Sequence, residues 1–220
     1  MLEVVPTIVP DTFADIQSLR KRFSSFLTSL HVDATDGVFA PNVTWTPADG
    51  EVLPDSDAIS YRAHLMVAEP RALGFAFLKA GAKMLEAHAE AFTTPAEGLT
   101  VFDAWRNMGA EKIAIALKFD TPLKAVEPYL DAIDYVRLMT IAKIGTQGIP
   151  FDEGAIGRVA TFHERYLGID IAVDGGVSEE NIMELAKAGA TSFTAGSAIA
   201  KAKDPAAEYR RLLALAESAV

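Results

Sequence analysis

The stretch that decides the fold runs from residue 169 to residue 197 and reads IDIAVDGGVSEENIMELAKAGATSFTAGS. Its first six residues are a short apolar run that predicts a strand, and two glycines follow as a tight turn. Residues 179–188 have the length and composition of a helix, and the Gly-Ala pair at 189–190 is typical of a helix end. Residues 192–195 predict a second strand. The stretch therefore indicates a strand–helix–strand unit.

The same alternation continues along the whole chain. Short β-branched runs predict eight strands, at residues 3–9, 26–33, 63–67, 84–89, 112–117, 135–141, 169–174 and 192–195. Segments of helical length lie between them, including residues 12–22, 70–80, 95–108, 179–188 and 205–217. Gly81 and Gly109 follow the ends of predicted helices, as Gly189 does.

Eight such units without a Pro/Ser-rich linker predict an α/β fold, a single (β/α)8 or TIM barrel spanning residues 1–220. A doubly wound open sheet is the alternative. The first strand is not followed by a Gly-x-Gly-x-x-Gly turn, which favours the barrel. Residues 37–60 contain three prolines and predict a long loop with a short helix near residues 55–60.

Composition excludes several classes of partner. The chain has 220 residues, a formal net charge of −10 and no cysteine. An acidic surface repels nucleic acid and anionic membrane, so we expect neither as a partner. No run of 18 apolar residues and no secretory signal is present, which predicts a cytoplasmic protein.

Four polar residues stand at the ends of predicted strands: His31, Asp33, His64 and Asp174. Two imidazoles and two carboxylates form a donor set suited to a divalent metal. Side chains two apart on a strand share a face, and a closed barrel would bring the four together at its mouth. The two carboxylates would then flank one centre, where one removes a proton and the other returns one to the opposite face. The predicted chemistry is inversion at one carbon.

The other histidines carry weaker signals. We expect His163 to lie on the surface of a helix. His88 is either a group that supports the metal site or a structural residue, and the sequence does not choose between the two.

Glycine-rich turns follow the last two strands, which in many barrels bind phosphate through main-chain N–H groups. The candidate phosphate ligands in these turns are Gly175, Gly176, Gly196 and Ser197. Gly145 and Gly148, in the loop of residues 142–148, are expected to form a third wall.

Taken together and in this order, these residues resemble the ribulose-phosphate 3-epimerase family, over about residues 6–209. The stretches that carry the resemblance are HVDATDGVFAPN (31–42), AHLMV (63–67), TPL (121–123), LMT (138–140), VDGGV (173–177) and AGSA (195–198).

The resemblance implies a TIM barrel of the ribulose-phosphate-binding type and a metal-dependent isomerase. His31, Asp33, His64 and Asp174 would bind Zn2+ or Fe2+, with Mn2+ or Co2+ as alternatives. Asp33 and Asp174 would exchange the C3 proton of a ketose phosphate. The resemblance also implies substrate contacts, which comprise Thr7, His64, Met66 and Met139 in addition to the glycine-rich turns.

The chain departs from the family pattern at several positions. Thr7 replaces a serine and keeps its hydroxyl, whereas Thr35 replaces a methionine and predicts a more polar cap over the substrate. Residues 118–120 and 142–148 differ from the family's substrate loops, and Lys143 in the second loop could reach the substrate.

The leading hypothesis is conversion of D-ribulose 5-phosphate to D-xylulose 5-phosphate, by a protein that forms a homo-oligomer. The altered loops leave open a hexulose phosphate, such as allulose 6-phosphate. A barrel that only binds a sugar phosphate is a third hypothesis. A Schiff-base aldolase that uses Lys143 is the fourth.

Overall fold

The computed structural model describes residues 1–146 and 148–220. Eight parallel strands pair in chain order, and the eighth pairs with the first, which closes a barrel. The register of that closing pair aligns Val5 with Thr194. The predicted TIM barrel is therefore confirmed, and the open doubly wound sheet is excluded.

The strands are β1 (Glu3–Ile8), β2 (Ser29–Thr35), β3 (Ser60–Met66), β4 (Met84–His88), β5 (Lys112–Leu117), β6 (Tyr135–Met139), β7 (Asp170–Asp174) and β8 (Ser192–Ala195). The α-helices are α1 (Phe13–Arg22), α2 (Pro70–Lys79), α3 (Pro95–Asn107), α4 (Gly154–Arg165), α5 (Ile182–Lys187), α6 (Ser197–Ala200) and α7 (Pro205–Glu217). None of the helices in the described part of the chain is long and apolar enough to cross a membrane.

The predicted boundaries differ from the structure most at β2 and in the following loop. The amide of Leu27 donates to the carbonyl of Phe23 at 2.9 Å, so residues 26–28 complete the turn after α1 and β2 begins only at Ser29. The short helix predicted near residues 55–60 is wrong. The amide of Ile59 closes a single turn on the carbonyl of Asp55 at 2.8 Å, and β3 begins at the next residue.

The apolar core lies between the barrel and the helices. Alternate residues of each strand, such as Val32, Leu65 and Val136, are fully buried against the helical layer. The opposite faces of the strands point into the barrel, where polar side chains collect at buried positions. Most TIM barrels fill this interior with bulky branched apolar residues. Here the interior is instead a hydrogen-bonded network that leads up to the carboxyl ends of the strands.

Candidate active site

The four predicted metal ligands converge at the carboxyl end of the barrel. His31, Asp33, His64 and Asp174 are all buried, and one ligand atom from each lies within 4.8 Å of the others. His31 and Asp33 share the inner face of β2, and the register aligns Asp33 with His64 on β3. Two nitrogens and two oxygens at this spacing suit a divalent metal of borderline softness. The donor set therefore fits the metal that the sequence predicts.

His64 stands between the two carboxylates. Its Nδ1 atom lies 3.1 Å from Oδ1 of Asp33 and 3.4 Å from Oδ2 of Asp174. Burial disfavours the imidazolium, but the hydrogen bonds with Asp174 and Asp33 outweigh it and raise the pKa of His64 to about 9. Burial likewise opposes the charge of Asp174, yet His64 and the nearby His31 and Arg137 lower the pKa of this carboxyl. The site is thus built to hold positive charge between two carboxylates.

His31 is held at both ring nitrogens. Its Nδ1 atom lies 3.0 Å from the hydroxyl of Thr7, which also donates to Oδ2 of Asp33 at 3.0 Å. Its Nε2 atom lies 3.2 Å from Oε2 of Glu86 on β4. The Thr7 hydroxyl, predicted as a substrate contact, therefore also links two candidate metal ligands.

Glu86 belongs to a buried charge network that the sequence analysis missed. Burial opposes its ionisation, but Arg137 and His31 hold the pKa of Glu86 well below its usual range. Its position two residues before His88 on β4 places it on the inner face, as Arg137 lies two residues before Met139 on β6. The period-2 pattern of these strands was the signal that could have found both residues.

His88 contacts the candidate ligand His64 directly, which favours the first of the two roles considered for it. Its Nε2 atom lies 2.9 Å from Nε2 of His64, and its Nδ1 atom lies 3.2 Å from Oε2 of Glu90. Burial, reinforced by the nearby charge of His64, lowers the pKa of His88 to about 4 despite the contact with Glu90. His163 is exposed on α4, as predicted.

A cavity opens above the four ligands. The residues lining it include Asp33 and Asp174 together with predicted substrate contacts, namely Thr7, Met66, Met139, Gly145, Gly148, Gly175, Gly176, Gly196 and Ser197. Thr146, in the loop expected to form the third wall, also lines the cavity, and further lining residues that were not predicted include Ile141, Ile149 and Thr194. His64 is fully buried beneath the carboxylates. Thr35, predicted to make the cap more polar, is buried and is not among these lining residues.

The turn after β7 requires both of its glycines. Gly175 and Gly176 have φ values of +118° and +66°, which residues with a side chain rarely adopt. A Cβ atom on Gly176 would lie 2.9 Å from the backbone nitrogen of Phe151, and one on Gly175 would lie 2.6 Å from Ile141. The main chain can therefore come close to a ligand here.

The loop of residues 142–148, apart from Gln147, lies at one side of the cavity and is held by the loop after β2. The side-chain amide of Asn42 donates to the carbonyl of Gly145 at 3.0 Å and to the hydroxyl of Thr146 at 3.2 Å. Lys143 is exposed and is not among the described residues that line the cavity. Lys118, in the other altered loop, places its ammonium 3.8 Å from the ring centre of Phe39. Neither lysine occupies the cavity.

Solved structures share the barrel. A KGPDC from Streptococcus mutans, solved as a ligand complex, superimposes with a TM-score of 0.75 at 15% sequence identity, over 99% of this chain and 98% of that chain. A 3-hexulose-6-phosphate synthase from Salmonella typhimurium gives a TM-score of 0.71 at 15% identity, over 100% of both chains. At this level of identity the similarity concerns the fold alone.

Sequence comparison is more specific. The model of the ribulose-phosphate 3 epimerase family matches residues 3–200. The ribulose-phosphate 3-epimerase of Aquifex aeolicus is 35% identical over 198 residues, which cover 87% of this chain and 86% of that protein. The chloroplastic ribulose-5-phosphate-3-epimerase of Arabidopsis thaliana is 35% identical over 179 residues, covering 80% of this chain and 63% of the longer relative. The resemblance and the isomerase class predicted from it are confirmed, and the chain belongs to the ribulose-phosphate 3-epimerase family.

Proposed function

We propose that this protein is a metal-dependent epimerase that inverts C3 of a ketose phosphate and interconverts D-ribulose 5-phosphate and D-xylulose 5-phosphate. The observation that carries the proposal is the placement of Asp33 and Asp174 on either side of His64 Nδ1, where both line the same cavity. Epimerisation by proton transfer needs a base on one face of the carbon and an acid on the other. Membership of the family supports the same reaction.

The residues proposed to hold the metal are His31, Asp33, His64 and Asp174, with Zn2+ or Fe2+ as the expected ion and Mn2+ or Co2+ as alternatives. When bound, the ion would supply the positive charge that polarises the sugar carbonyl and makes the neighbouring C–H acidic. His31 and His64 each present Nδ1 toward the carboxylates, because their Nε2 atoms are engaged by Glu86 and His88. The two imidazoles are thus oriented by contacts within the protein.

The two carboxylates would move the C3 proton. Asp33 accepts a hydrogen bond from Thr7 through Oδ2, which fixes the direction of its other oxygen. Asp174 is kept ionised by its neighbours and is ready to accept a proton. One carboxylate removes the proton from C3 and the other returns one to the opposite face, so the configuration at C3 inverts while the carbon skeleton stays intact.

The rest of the cavity would position the sugar phosphate. Main-chain groups of Gly175, Gly176 and Gly196, with the hydroxyl of Ser197, are proposed to bind the phosphate, since glycine lets an anion approach the N–H groups. Met66 and Met139 supply the apolar surface that excludes water from the reacting carbon. Gly145 and Gly148 close the cavity on the remaining side.

Proton NMR in D2O tests the proposal. Metal-loaded protein is incubated with D-ribulose 5-phosphate, and solvent deuterium at C3 is followed together with the appearance of D-xylulose 5-phosphate. We expect both, with loss on chelation and recovery on addition of metal. The kcat/KM for allulose 6-phosphate is measured in parallel. A higher value for this hexulose phosphate would make it the substrate in place of D-ribulose 5-phosphate. Binding of both sugar phosphates without deuterium exchange at C3 would overturn the proposed epimerase activity.

A further inference from the structure

A buried ion pair lies in the middle of the barrel, one layer below the four proposed ligands. Glu86 on β4 and Arg137 on β6 are both 0% exposed. The guanidinium donates to both carboxylate oxygens, from Nη2 to Oε1 at 2.7 Å and from Nε to Oε2. Tyr135 also donates to Oε1 of Glu86 at 2.5 Å, and Arg137 Nη1 donates to Thr194 at 2.6 Å. Every polar atom of the carboxylate is therefore engaged.

The barrel makes room for this pair. Arg137 is aligned with Ala116 on β5 and with Ala172 on β7, so both neighbouring strands carry a small side chain beside it. A buried ion pair is rarely more stable than apolar residues of the same volume, because both charges lose their hydration. Stability alone therefore gives no reason for a charged interior at this level, which points to a role in the site above.

The pair is connected to the site through His31. The second contact of Glu86 Oε2 is Nε2 of His31, at 3.2 Å. An ionised carboxylate can only accept, so this contact requires the hydrogen of the imidazole to be on Nε2. In the neutral imidazole Nδ1 then carries the lone pair, and its neighbours are the Thr7 hydroxyl at 3.0 Å and Asp33 Oδ1 at 3.5 Å. The single hydrogen of that hydroxyl can turn either to Nδ1 or to Asp33. Glu86 thus selects the tautomer that a metal ligand needs.

We propose that Glu86 is a positioning residue that fixes His31 as the Nε2–H tautomer with Nδ1 presented to the metal, and that Arg137 and Tyr135 hold the Glu86 carboxylate in the required orientation. The inference rests on the proposed metal site but is independent of which sugar is the substrate. Carboxylates that orient a ligating imidazole in this way contribute to metal affinity in other proteins.

The test replaces the network by apolar residues of similar size, so that the fold survives. The variant Glu86→Leu/Tyr135→Phe/Arg137→Met leaves neither an unpaired charge nor the Tyr135 hydroxyl behind. The control is Glu3→Leu/Arg62→Leu, which removes an ion pair at the amino-terminal end of the barrel. The two side chains are joined at 2.6 Å, Arg62 is buried and Glu3 is 44% exposed, and neither side chain bonds any of the four ligands. Binding of Co2+ is titrated by its visible absorption, and 15N NMR of the metal-free proteins reads the tautomer of His31.

We expect the triple variant to bind Co2+ roughly 10- to 100-fold more weakly, with an altered absorption band, while the control stays within about twofold of the parent. His31 should become a mixture of tautomers in the triple variant alone. The variant Glu86→Gln/Tyr135→Phe/Arg137→Met offers the imidazole a neutral acceptor and should restore most of the Co2+ affinity.

Unchanged Co2+ affinity and an unchanged tautomer in the triple variant would overturn the inference. A Gln at position 86 that restores nothing would also overturn it, since an acceptor at that place is the proposed cause. Failure of the parent itself to bind Co2+ would overturn the proposed metal site and this inference with it. The parent titration therefore distinguishes the two failures.

Discussion

The Nε2 atoms of His64 and His88 lie 2.9 Å apart, so one imidazole must donate and the other must accept. The contact with Glu90 determines which of the two imidazoles donates. The Glu90 carboxylate accepts from Nδ1 of His88 at 3.2 Å, so the hydrogen of His88 is on Nδ1. The Nε2 atom of His88 then accepts from His64, whose Nδ1 is left to face Asp33 and Asp174. A glutamate therefore orients each proposed histidine ligand. Glu86 contacts His31 directly, and Glu90 acts on His64 through the imidazole of His88.

Replacing Glu90 with Gln should lower stability at neutral pH. Burial opposes its charge, but His88, Thr121 and the amide of Lys118 lower the pKa of Glu90 to about 2, against 4.5 for the free side chain. A depressed pKa stabilises the fold above the unfolded value, and that contribution is lost as pH falls from about 4.5 through 2. We expect Glu90→Gln to cost at most about 3 kcal/mol at pH 7 and much less near pH 2, by urea unfolding.

The control for this measurement is Glu184→Gln, at an exposed glutamate that pairs with Lys187 on the same helix. Its effect should stay below about 0.5 kcal/mol at every pH. Equal pH profiles for the parent and the Glu90 variant would contradict the assigned role of the carboxylate.

Asp33→Asn and Asp174→Asn should each strongly slow interconversion of the two epimers. Each variant lacks one of two proton carriers, and the turnover number should fall at least 10²- to 10⁴-fold, the usual contribution of general acid–base groups. The carboxylate that remains can still exchange the C3 proton of one epimer with D2O. NMR of each variant with each epimer therefore assigns each carboxylate to a face of the sugar.

These measurements are made at saturating metal with the bound metal counted, because both residues are also proposed ligands. Near-full turnover in either variant would rule out the two-carboxylate mechanism.

Asn42→Ala should weaken substrate binding more than it slows the chemistry. The variant loses both hydrogen bonds that join the loop after β2 to Gly145 and Thr146. At roughly 1 kcal/mol for each bond, KM should rise about five- to thirtyfold with a smaller change in kcat. Asn107→Ala, at an exposed asparagine on α3, serves as the control. A change confined to kcat would indicate that the contact acts on the proton transfer instead.

Lys143→Ala should leave kcat/KM within about twofold of the parent, because the side chain is exposed and outside the cavity lining. Treatment with borohydride in the presence of sugar phosphate should trap no adduct in either protein. A trapped adduct that disappears in the variant would support the Schiff-base aldolase instead.

Strand periodicity explains how much of the site could be predicted. His31 and Asp33 are two apart at the end of an apolar run, and His64 and Asp174 occupy the same place in later strands, so closure of the barrel was enough to bring them together. The beginning of β2 was not predictable in the same way, because Phe26 belongs by composition to the apolar run but by hydrogen bonding to the turn after α1.

The supporting network depends on distances that periodicity does not contain. Glu86 and Arg137 lie on strands separated by β5, where the residues aligned with them are the small Ala114 and Ala116. The contact of His88 with His64 is likewise not contained in the register, which aligns His64 with Glu86. The homo-oligomer and the cytoplasmic location stay predictions.

The two alanines beside Arg137 also constrain how this interior can evolve. A larger residue at Ala116 or Ala172 would take up space beside Arg137 on a neighbouring strand. Loss of Glu86 would leave the charge of the guanidinium unpaired, at a cost of about 3 to 5 kcal/mol. Each single substitution at these positions is therefore unfavourable, although a protein with apolar residues in place of both charged side chains would still fold. In relatives of this chain the four positions should consequently vary as a group, and a family alignment would show them as one covarying set.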